Sequence, residues 1–311
     1  MTRMRLERAV EVLIHRALDE GFPADKVERL RTIVYAYDAY DVWRLVLGKY
    51  PPANVGPMRV RTETGCRPYK VKARKYAPEY QVFLDPFNEM LVKLGRVYEN
   101  PTSRWVCAAP PVRKRGAGDF RQTVGYKPFN AQTEPMAGLI PNSHVDLENV
   151  RGSNDFGFFD YSKGYWQLPL AKECQMLLYV GRSIPNATVQ LYKHLLVWIA
   201  DLLLYAANVD MYLNKLQEML ELTAMFGFKL SVSKSCVNKR EVKWCGKVIN
   251  GEGVKHASER IQALQSMLYP TNAGELQQFL CSTNWMGDSI VDYARLALPL
   301  QDTLDKAMAQ T

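Results

Sequence analysis

Apolar side chains recur at helical spacing along the first fifty residues of the chain. Residues 4–20 carry one apolar stripe, and the sequence Gly21-Phe22-Pro23 interrupts it. A second stripe follows and ends before Pro51-Pro52. The first stripe consists of Leu6, Val10, Leu13 and Ala17, and the second of Leu30, Ile33, Val34 and Tyr37. The pattern predicts two amphipathic helices and a domain boundary near residue 50.

Two short apolar segments in the middle of the chain are typical of strands, and each contains a carboxylate. Phe156 to Asp160 is expected to form an aromatic strand that ends in an acid. Residues 195–205 predict a largely buried hairpin or strand around Asp201. Because burying an unpaired charge costs several kcal/mol, Asp201 should lie at a hairpin tip, form an ion pair or bind a metal.

Turn and cap signals mark the elements that follow. Asp210 is expected to cap a helix that ends at Gly227. The strand before Asn250-Gly251 runs into the dipeptide best suited to a tight hairpin turn. Asn272 and Glu275 form a capping-box-like start to one of the helices in the C-terminal part.

The composition is that of a folded chain in which basic residues outnumber acidic ones. With 47% hydrophobic residues among 311 and only 19 Gly and 17 Pro, the sequence excludes a disordered or collagen-like chain. At about 100–200 residues per domain, the length predicts two or three structural units. The net charge of +8 points to polyanionic partners such as nucleic acid.

Cysteine usage and the N-terminal sequence bear on the cellular compartment. The 6 cysteines are scattered without a C-x-x-C pair, which disfavours a zinc site. The N-terminal residues show no signal-peptide pattern. The longest apolar run, residues 195–207, contains Asp201 and is shorter than the ~20 residues of a membrane span. We therefore expect an intracellular protein, cytoplasmic or nuclear, with free thiols and no transmembrane segment.

Basic residues are concentrated in two segments, 58–80 and 229–247. Cations neutralise a phosphate backbone while interleaved aromatic rings stack on bases, so the first segment suits nucleic acid. An ordinary solvated surface gives the same pattern. The cations include Lys72, Arg74 and Lys75 in the first segment and Lys234 in the second.

A basic hairpin is expected between residues 105 and 126. Its Lys114 and Arg121 either hold a triphosphate or are solvated charges near the hairpin tip. The residues alone leave both interpretations open.

The segment from Phe159 to Leu170 resembles the first catalytic motif of reverse transcriptases from gypsy-type LTR retrotransposons, which carries Asp followed by Gly-Tyr-x-Gln. Trp198 to Asp201 occupies the place of the Tyr-x-Asp-Asp-type box of that family. Further motifs keep the family order from about residue 50 to the C terminus. They are residues 100–105 and 112–114 in the fingers, 130–133 before the palm, 226–230, 233–236 and 242–246 after the box, and 276–280 at the start of the thumb.

This resemblance implies an α+β fold with the right-hand architecture of polymerases. The palm would consist of an antiparallel sheet with packed helices. By the same resemblance, residues 1–50 are a helical extension or linker, 51–128 resemble fingers, 129–255 a palm that is internally shortened, and 256–311 a helical thumb or connection.

The resemblance also implies an RNA-directed DNA polymerase that uses two Mg²⁺ (or Mn²⁺) ions for nucleotidyl transfer. RNA and DNA template–primer would be its partners, with other polyprotein-derived or host proteins in addition. Asp160 and Asp201 would be the catalytic metal ligands. Lys114, Arg121, Tyr165 and Gln167 would bind the nucleotide, and Lys72, Arg74, Lys75, Lys234, Trp244 and Gly246 the nucleic acid.

The sequence departs from the family pattern at the catalytic box. Ala200 stands where the family has the first of two consecutive aspartates, and a methyl group cannot bind Mg²⁺. The stretch between Asp160 and Asp201 is also shorter than in the family, and residues 182–188 look like all that remains of a longer palm segment. Gly125 and Lys127 stand where relatives show Asp and Arg. We therefore expect a degenerate copy in which catalysis is impaired or lost. Mg²⁺ (or Mn²⁺) is expected as the cofactor if the chain is active, and no cofactor otherwise.

Two alternatives remain beside an impaired polymerase. One is an active polymerase in which Asp160 and Asp201 hold the metal unaided, or in which another carboxylate such as Asp155 substitutes for the missing ligand. The other is a domesticated, non-enzymatic scaffold that binds nucleic acid or another protein, with the helical residues 1–50 as the docking surface.

Overall fold

The computed structural model describes residues 3–36, 42–72, 75–114, 119–135, 147, 149–174, 194–198, 200–244 and 246–309. Contacts divide the chain into two compact units. The first comprises Met1–Asn149 and Ser153–Arg240, and the second Val150–Gly152 and Glu241–Thr311. Residues 182–188, the expected remnant of the palm segment, lie outside the described residues.

The first unit alternates helices and short strands. Its helices are α1 (Arg3–Asp19), α2 (Val27–Ala36), α3 (Pro78–Lys93), α4 (Lys127–Asn130) and α5 (Val209–Met225). Its strands are β1 (Trp43–Arg44), β2 (Pro111–Arg113), β3 (Phe120–Gln122), β4 (Asp155–Asp160), β5 (Leu195–Trp198), β6 (Asp201–Ala206), β7 (Leu230–Ser231) and β8 (Cys236–Lys239). The helices predicted at the N terminus, the strand at 156–160 and the hairpin around Asp201 are all confirmed.

An antiparallel sheet of four strands, in the order β5-β6-β4-β8, lies at the centre of this unit. Strands β4 and β6 pair along their whole length, from Asp155 opposite Ala206 to Asp160 opposite Asp201. Two smaller pairs accompany the sheet. They are the antiparallel β2–β3 hairpin and the parallel β1–β7 pair. The basic hairpin predicted from the sequence is confirmed as β2–β3.

The N-terminal helices pack into the same core as the central sheet. Leu13 on α1 and Leu30 on α2 are fully buried together with Phe159 of β4 and Leu204 of β6. The apolar face of α5 completes the cluster with Tyr212, Leu213, Leu216, Met219 and Leu220. The apolar stripes of residues 1–50 are therefore used inside the unit. They do not form the docking surface expected from the sequence.

Polar contacts fix α2 against its two neighbours. Arg31 of α2 donates to both carboxylate oxygens of Glu11 on α1, at 3.2 and 3.0 Å. Lys26 and Arg29 form ion pairs with Asp210 at the start of α5, at 2.9 and 3.0 Å. The contacts with Asp210 join elements that are far apart in the sequence.

The cap of α5 differs from the sequence prediction by two residues. The side chain of Asn208 accepts a hydrogen bond from the Met211 N–H at 2.9 Å, so Asn208 is the N-cap and Asp210 lies in the first turn. Asn208 has the extended backbone that a cap requires, whereas Asp210 is already helical. At the other end, Gly227 has a φ of +72°, a left-handed conformation that glycine adopts without strain.

The second unit joins an antiparallel meander to three helices. Its strands are β9 (Glu241–Trp244), β10 (Lys247–Asn250) and β11 (Gly253–His256), and its helices are α6 (Ser258–Gln265), α7 (Ala273–Asn284) and α8 (Tyr293–Ala309). Leu276 and Leu280 of α7 pack against Leu304 of α8. The predicted cap is confirmed, because Asn272 accepts from the Glu275 N–H at 3.0 Å and Glu275 accepts from the Thr271 N–H at 2.8 Å.

The division into two units does not bear on where fingers, palm and thumb meet. The expected limits at residues 50, 128 and 255 therefore stay predictions.

No helix in the described part of the chain is both long enough and apolar enough to span a bilayer.

The packing of α1 predicts that the N-terminal helices contribute to stability. Leu13→Ala should lower the free energy of unfolding by about 2–5 kcal/mol, because it removes a fully buried side chain and leaves a cavity. Val12→Ala is the matched control, since Val12 is 52% exposed on the opposite face, and it should change stability by less than about 0.5 kcal/mol. Urea unfolding of both variants checks this. Equal effects of the two would show that α1 is a peripheral extension.

Candidate active site

Two carboxylates face each other at one end of the central sheet. Asp160 is the last residue of β4 and Asp201 the first residue of β6, and the antiparallel register places them directly opposite. Directly paired residues lie on the same face with Cβ atoms about 4.5–5.5 Å apart. Asp201 also pairs with Trp198 across the end of the β5–β6 hairpin. Of the three environments considered for Asp201, the structure therefore shows the hairpin tip.

Lys234 neutralises one of the two carboxylates. Its ammonium group donates to both Asp160 oxygens, each at 3.0 Å, and the Asp160 side chain is largely buried. The sequence placed Lys234 among nucleic-acid-binding residues and gave no sign of this pairing, since 74 positions separate the two. Lys234 therefore lies in the carboxylate site itself.

Asp201 has a raised affinity for protons. Burial and the like charge of Asp160 raise its pKa to about 6, and Lys234 opposes this effect. The pair is thus asymmetric. Asp160 is ion-paired with Lys234, whereas the pKa of Asp201 is raised to about 6.

Ala200 adjoins the turn that follows Asp160. Its carbonyl accepts a hydrogen bond from the Tyr161 N–H at 3.0 Å, and a Cβ at Gly164 would lie 3.2 Å from the Ala200 methyl. The Ala200 methyl group therefore lies close to Gly164, in the turn that follows Asp160. In the part of the chain that the structure describes, no group of three metal-ligating side chains is found.

Asp155, considered as a substitute ligand, lies at the opposite end of β4. At about 3.3 Å per residue it is roughly 17 Å along the strand from Asp160. It is buried, accepts a hydrogen bond from Asn238 at 3.1 Å and pairs with Arg240 at 3.2 Å. Asp155 cannot join Asp160 and Asp201 around one metal ion, so this route to an active polymerase is wrong.

The four nucleotide-binding candidates differ in their surroundings. Lys114 forms an ion pair with Asp119, and Arg121 lies opposite Val112 in the β2–β3 hairpin. Tyr165 is 47% exposed, so its ring is not part of the hydrophobic core. Gln167 is buried. Their contacts with a nucleotide stay predictions.

Gln167 fixes the turn between Asp160 and Tyr165. Its amide nitrogen donates to the carbonyls of Ser162 and Lys229, at 2.9 and 2.8 Å. Its amide oxygen accepts from the Lys229 N–H at 2.6 Å. The Gln167 side chain therefore positions the turn between Asp160 and Tyr165.

Lys163 is a residue of the site that sequence reasoning missed. It has a left-handed φ of +54° in the turn after Asp160. Partial burial and the positive charges of Lys114 and Lys234 lower its pKa. Lys114 of the hairpin and Lys234, which pairs with Asp160, thus both act electrostatically on Lys163. An unusual backbone conformation next to a motif residue is not visible in a sequence pattern.

The nucleic-acid-binding candidates occur in both units. In the first unit Lys72 and Lys75 are exposed, and Arg74 lies outside the described residues. In the second unit Trp244 is buried, and Gly246 has a φ of +75° with the Arg260 guanidinium packed against it. The left-handed backbone is why glycine is favoured at position 246, and another side chain would in addition displace the flexible end of Arg260.

Comparison with solved structures identifies the fold. Over 96% of its length the chain matches a foamy viral protease–reverse transcriptase solved in complex with dsDNA, with a TM-score of 0.77, 18% identity and 66% of that chain covered. A second structure of this kind, in complex with RNA/DNA hybrid, gives a TM-score of 0.75, 19% identity and 43% coverage. The chain therefore has the α+β, right-hand fold of reverse transcriptases, as predicted.

Relatives by sequence are Pol polyproteins of mobile elements and viruses. The chain is 26% identical over 233 residues to the retrovirus-related Pol polyprotein from transposon 297 of Drosophila melanogaster, covering 67% of this chain and 22% of that protein. It is 25% identical over 264 residues to the enzymatic polyprotein of cauliflower mosaic virus (strain NY8153), covering 76% and 38%. The chain thus spans less than half the length of these relatives. No protein-family model matches it.

The raised pKa of Asp201 predicts a pH-dependent stability. An aspartate normally titrates near 4, so between about pH 4 and pH 6 the folded chain binds more protons at this site than the unfolded chain. Ionised Asp201 therefore destabilises the fold above pH 6, and the effect vanishes below about pH 4. Asp201→Asn should be more stable than the wild type at pH 7.5, by on the order of 1–2 kcal/mol, with the difference closing as the pH falls.

Denaturant unfolding in a chelating buffer from pH 4 to 7.5 measures this difference. Asp85→Asn removes an exposed carboxylate of the same unit and gives the effect of one surface charge. A stability gain of Asp201→Asn that does not change with pH would contradict the raised pKa.

Proposed function

We propose that this chain is a degenerate reverse-transcriptase domain of a gypsy-type LTR retrotransposon Pol polyprotein, and that it binds template–primer nucleic acid but polymerises little or not at all. The observation that carries this proposal is the composition of the carboxylate site. It contains Asp160 and Asp201 in facing positions, with Ala200 where a third carboxylate would complete it.

The residues present fit one divalent ion better than two. Mg²⁺ is commonly held by one or two carboxylates together with substrate phosphates, and Asp160 and Asp201 supply such a pair. A second ion would need the bridging ligand that Ala200 cannot provide. Lys234 also occupies both oxygens of Asp160 with its ammonium group. The site therefore does not fit the pair of Mg²⁺ or Mn²⁺ ions that two-metal nucleotidyl transfer uses.

Nucleic-acid binding rests on charge and on fold. The chain carries a net charge of +8, and Lys72 and Lys75 are exposed in its first basic segment. Two of the matching reverse-transcriptase structures contain dsDNA and an RNA/DNA hybrid. Cations that neutralise phosphates release counterions, so such binding is tolerant of sequence and falls steeply with salt.

Primer extension tests the catalytic part of the proposal. The wild type should extend a primer on an RNA template weakly or not at all with Mg²⁺ or Mn²⁺. Ala200→Asp should raise the rate by at least about tenfold, equivalent to 1.4 kcal/mol of transition-state stabilisation, because it restores the missing ligand.

Asp160→Asn in the Ala200→Asp background is the control and should abolish the regained activity. Robust extension by the wild type that Asp160→Asn removes would overturn the proposal. If Ala200→Asp does not extend the primer, a second defect lies elsewhere in the palm. Ala200 alone would then not explain the loss of polymerase activity.

Fluorescence anisotropy with a labelled RNA/DNA hybrid tests the binding part. The logarithm of the binding constant should fall linearly with the logarithm of salt concentration. Lys72→Gln combined with Lys75→Gln should lower the steepness of that line by about 2, since each lysine that contacts a phosphate contributes roughly 1. Lys93→Gln, an exposed lysine outside both basic segments, should leave the slope unchanged. Salt-independent affinity would favour the protein-interaction scaffold.

A further inference from the structure

The ammonium group of Lys234 lies symmetrically against one of the two facing carboxylates. Its Nζ atom is 3.0 Å from each oxygen of Asp160. The Asp160 side chain is only 16% exposed, so this contact takes up both oxygens of a carboxylate with limited access to solvent. Mg²⁺ and Mn²⁺ bind carboxylates through the same oxygens. The ammonium group and a divalent ion are therefore alternative partners of Asp160.

The backbone that carries Lys234 is held by hydrogen bonds on both sides. Ser235 closes a turn onto the Ser231 carbonyl, with its N–H at 3.0 Å and its hydroxyl at 2.7 Å. From α1, the Arg16 guanidinium donates to the carbonyls of Val232 and Ser235, each at 3.4 Å. The Lys234 side chain itself is 64% exposed. The fixed backbone thus keeps its ammonium group within reach of Asp160.

The ion pair alters the charge that a divalent ion would meet at the site. Asp160 and Asp201 attract a cation, whereas the Lys234 ammonium group adds a positive charge at the oxygens of Asp160. Like charges repel, so the ammonium group disfavours a second cation at these oxygens. Solvent screens an exposed lysine, so a divalent ion would bind more weakly but would not be excluded.

We propose that Lys234 is an internal counter-cation of the carboxylate site, which neutralises Asp160 in place of a divalent ion and competes with such an ion for the Asp160 oxygens. This inference rests on the proposed function, since it takes Asp160 and Asp201 as the remnant of a metal site. It adds an obstacle to metal binding that is independent of Ala200. It also gives Lys234 a role inside the site, instead of the contact with nucleic acid that the sequence suggested.

Titration of the full chain with Mn²⁺, followed by the electron paramagnetic resonance signal of the free ion, tests the proposal. Lys234→Met should bind Mn²⁺ at least about fivefold more tightly than the wild type, because it removes both the competing partner of Asp160 and a positive charge beside it. Lys234→Arg keeps the charge and should bind Mn²⁺ as weakly as the wild type. Asp160→Asn combined with Lys234→Met should lose the gain.

Lys26→Met is the matched control. The Lys26 ammonium group contacts both oxygens of Asp210, at 2.9 and 3.2 Å, so it forms the same kind of pair in the same unit. Asp210 keeps its ion pair with Arg29 at 3.0 Å. Lys26→Met should therefore leave the affinity for Mn²⁺ within about twofold of the wild type. Thermal unfolding checks that each variant is folded, and Lys234→Gln, which also removes the charge, replaces Lys234→Met should that variant fail to fold.

Three outcomes overturn the proposal. Equal affinities of Lys234→Met and the wild type for Mn²⁺ would show that the ammonium group does not compete with the ion. An equal gain in Lys26→Met would show a general effect of net charge. A gain that persists in the variant that also carries Asp160→Asn would place the bound ion away from Asp160.

The experiment separates this proposal from the proposed function, because the titration contains neither nucleic acid nor nucleotide. Robust primer extension by the wild type, or failure to bind the RNA/DNA hybrid, would overturn the proposed function and leave the Mn²⁺ result to be judged by itself. Equal Mn²⁺ affinities would overturn only the competition by Lys234.

Discussion

The antiparallel pairing of β4 with β6 is the constraint on which the candidate site depends. Successive side chains of a strand alternate between faces, so a slip of one residue would move Asp201 away from Asp160. The register is set by apolar residues such as Phe159 and Leu204, which are fully buried in the core shared with α1, α2 and α5. The placement of the two carboxylates is therefore a consequence of core packing.

Facing carboxylates repel each other, and the chain compensates one of them. Lys234 pairs with Asp160, while Asp201 keeps an elevated pKa of about 6. A third carboxylate at position 200 would add to this repulsion, and divalent ions would then be needed to offset it. With Ala200, the negative charge of Asp160 and Asp201 is small enough to be balanced by Lys234 and by protonation of Asp201. Alanine at position 200 thus leaves less negative charge at the hairpin tip than a third carboxylate would.

Local sequence patterns predicted the helices and strands of this fold. They predicted less about the site, because its geometry depends on contacts between residues that are far apart in the sequence. The stripes at Leu6 to Ala17, the strand ending at Asp160 and the cap at Asn272 follow from periodicity and short-range hydrogen bonds. The hairpin at Asn250 was placed one residue early, because Asn250 pairs with Gly253 and the turn is Gly251-Glu252. The contact of Lys234 with Asp160 joins residues far apart in the chain, so only the folded structure reveals it.

The local fold at position 200 does not depend on the side chain that stands there. At position 200 the contact that supports the turn is a backbone carbonyl bonded to the Tyr161 N–H, which any residue provides. The turn is held from its other side by Gln167, whose three hydrogen bonds to Ser162 and Lys229 use buried backbone groups. A change of side chain at position 200 therefore leaves the backbone hydrogen bond to the Tyr161 N–H intact. A substitution at Gln167 would disturb the turn, since it would leave buried backbone donors and acceptors without partners.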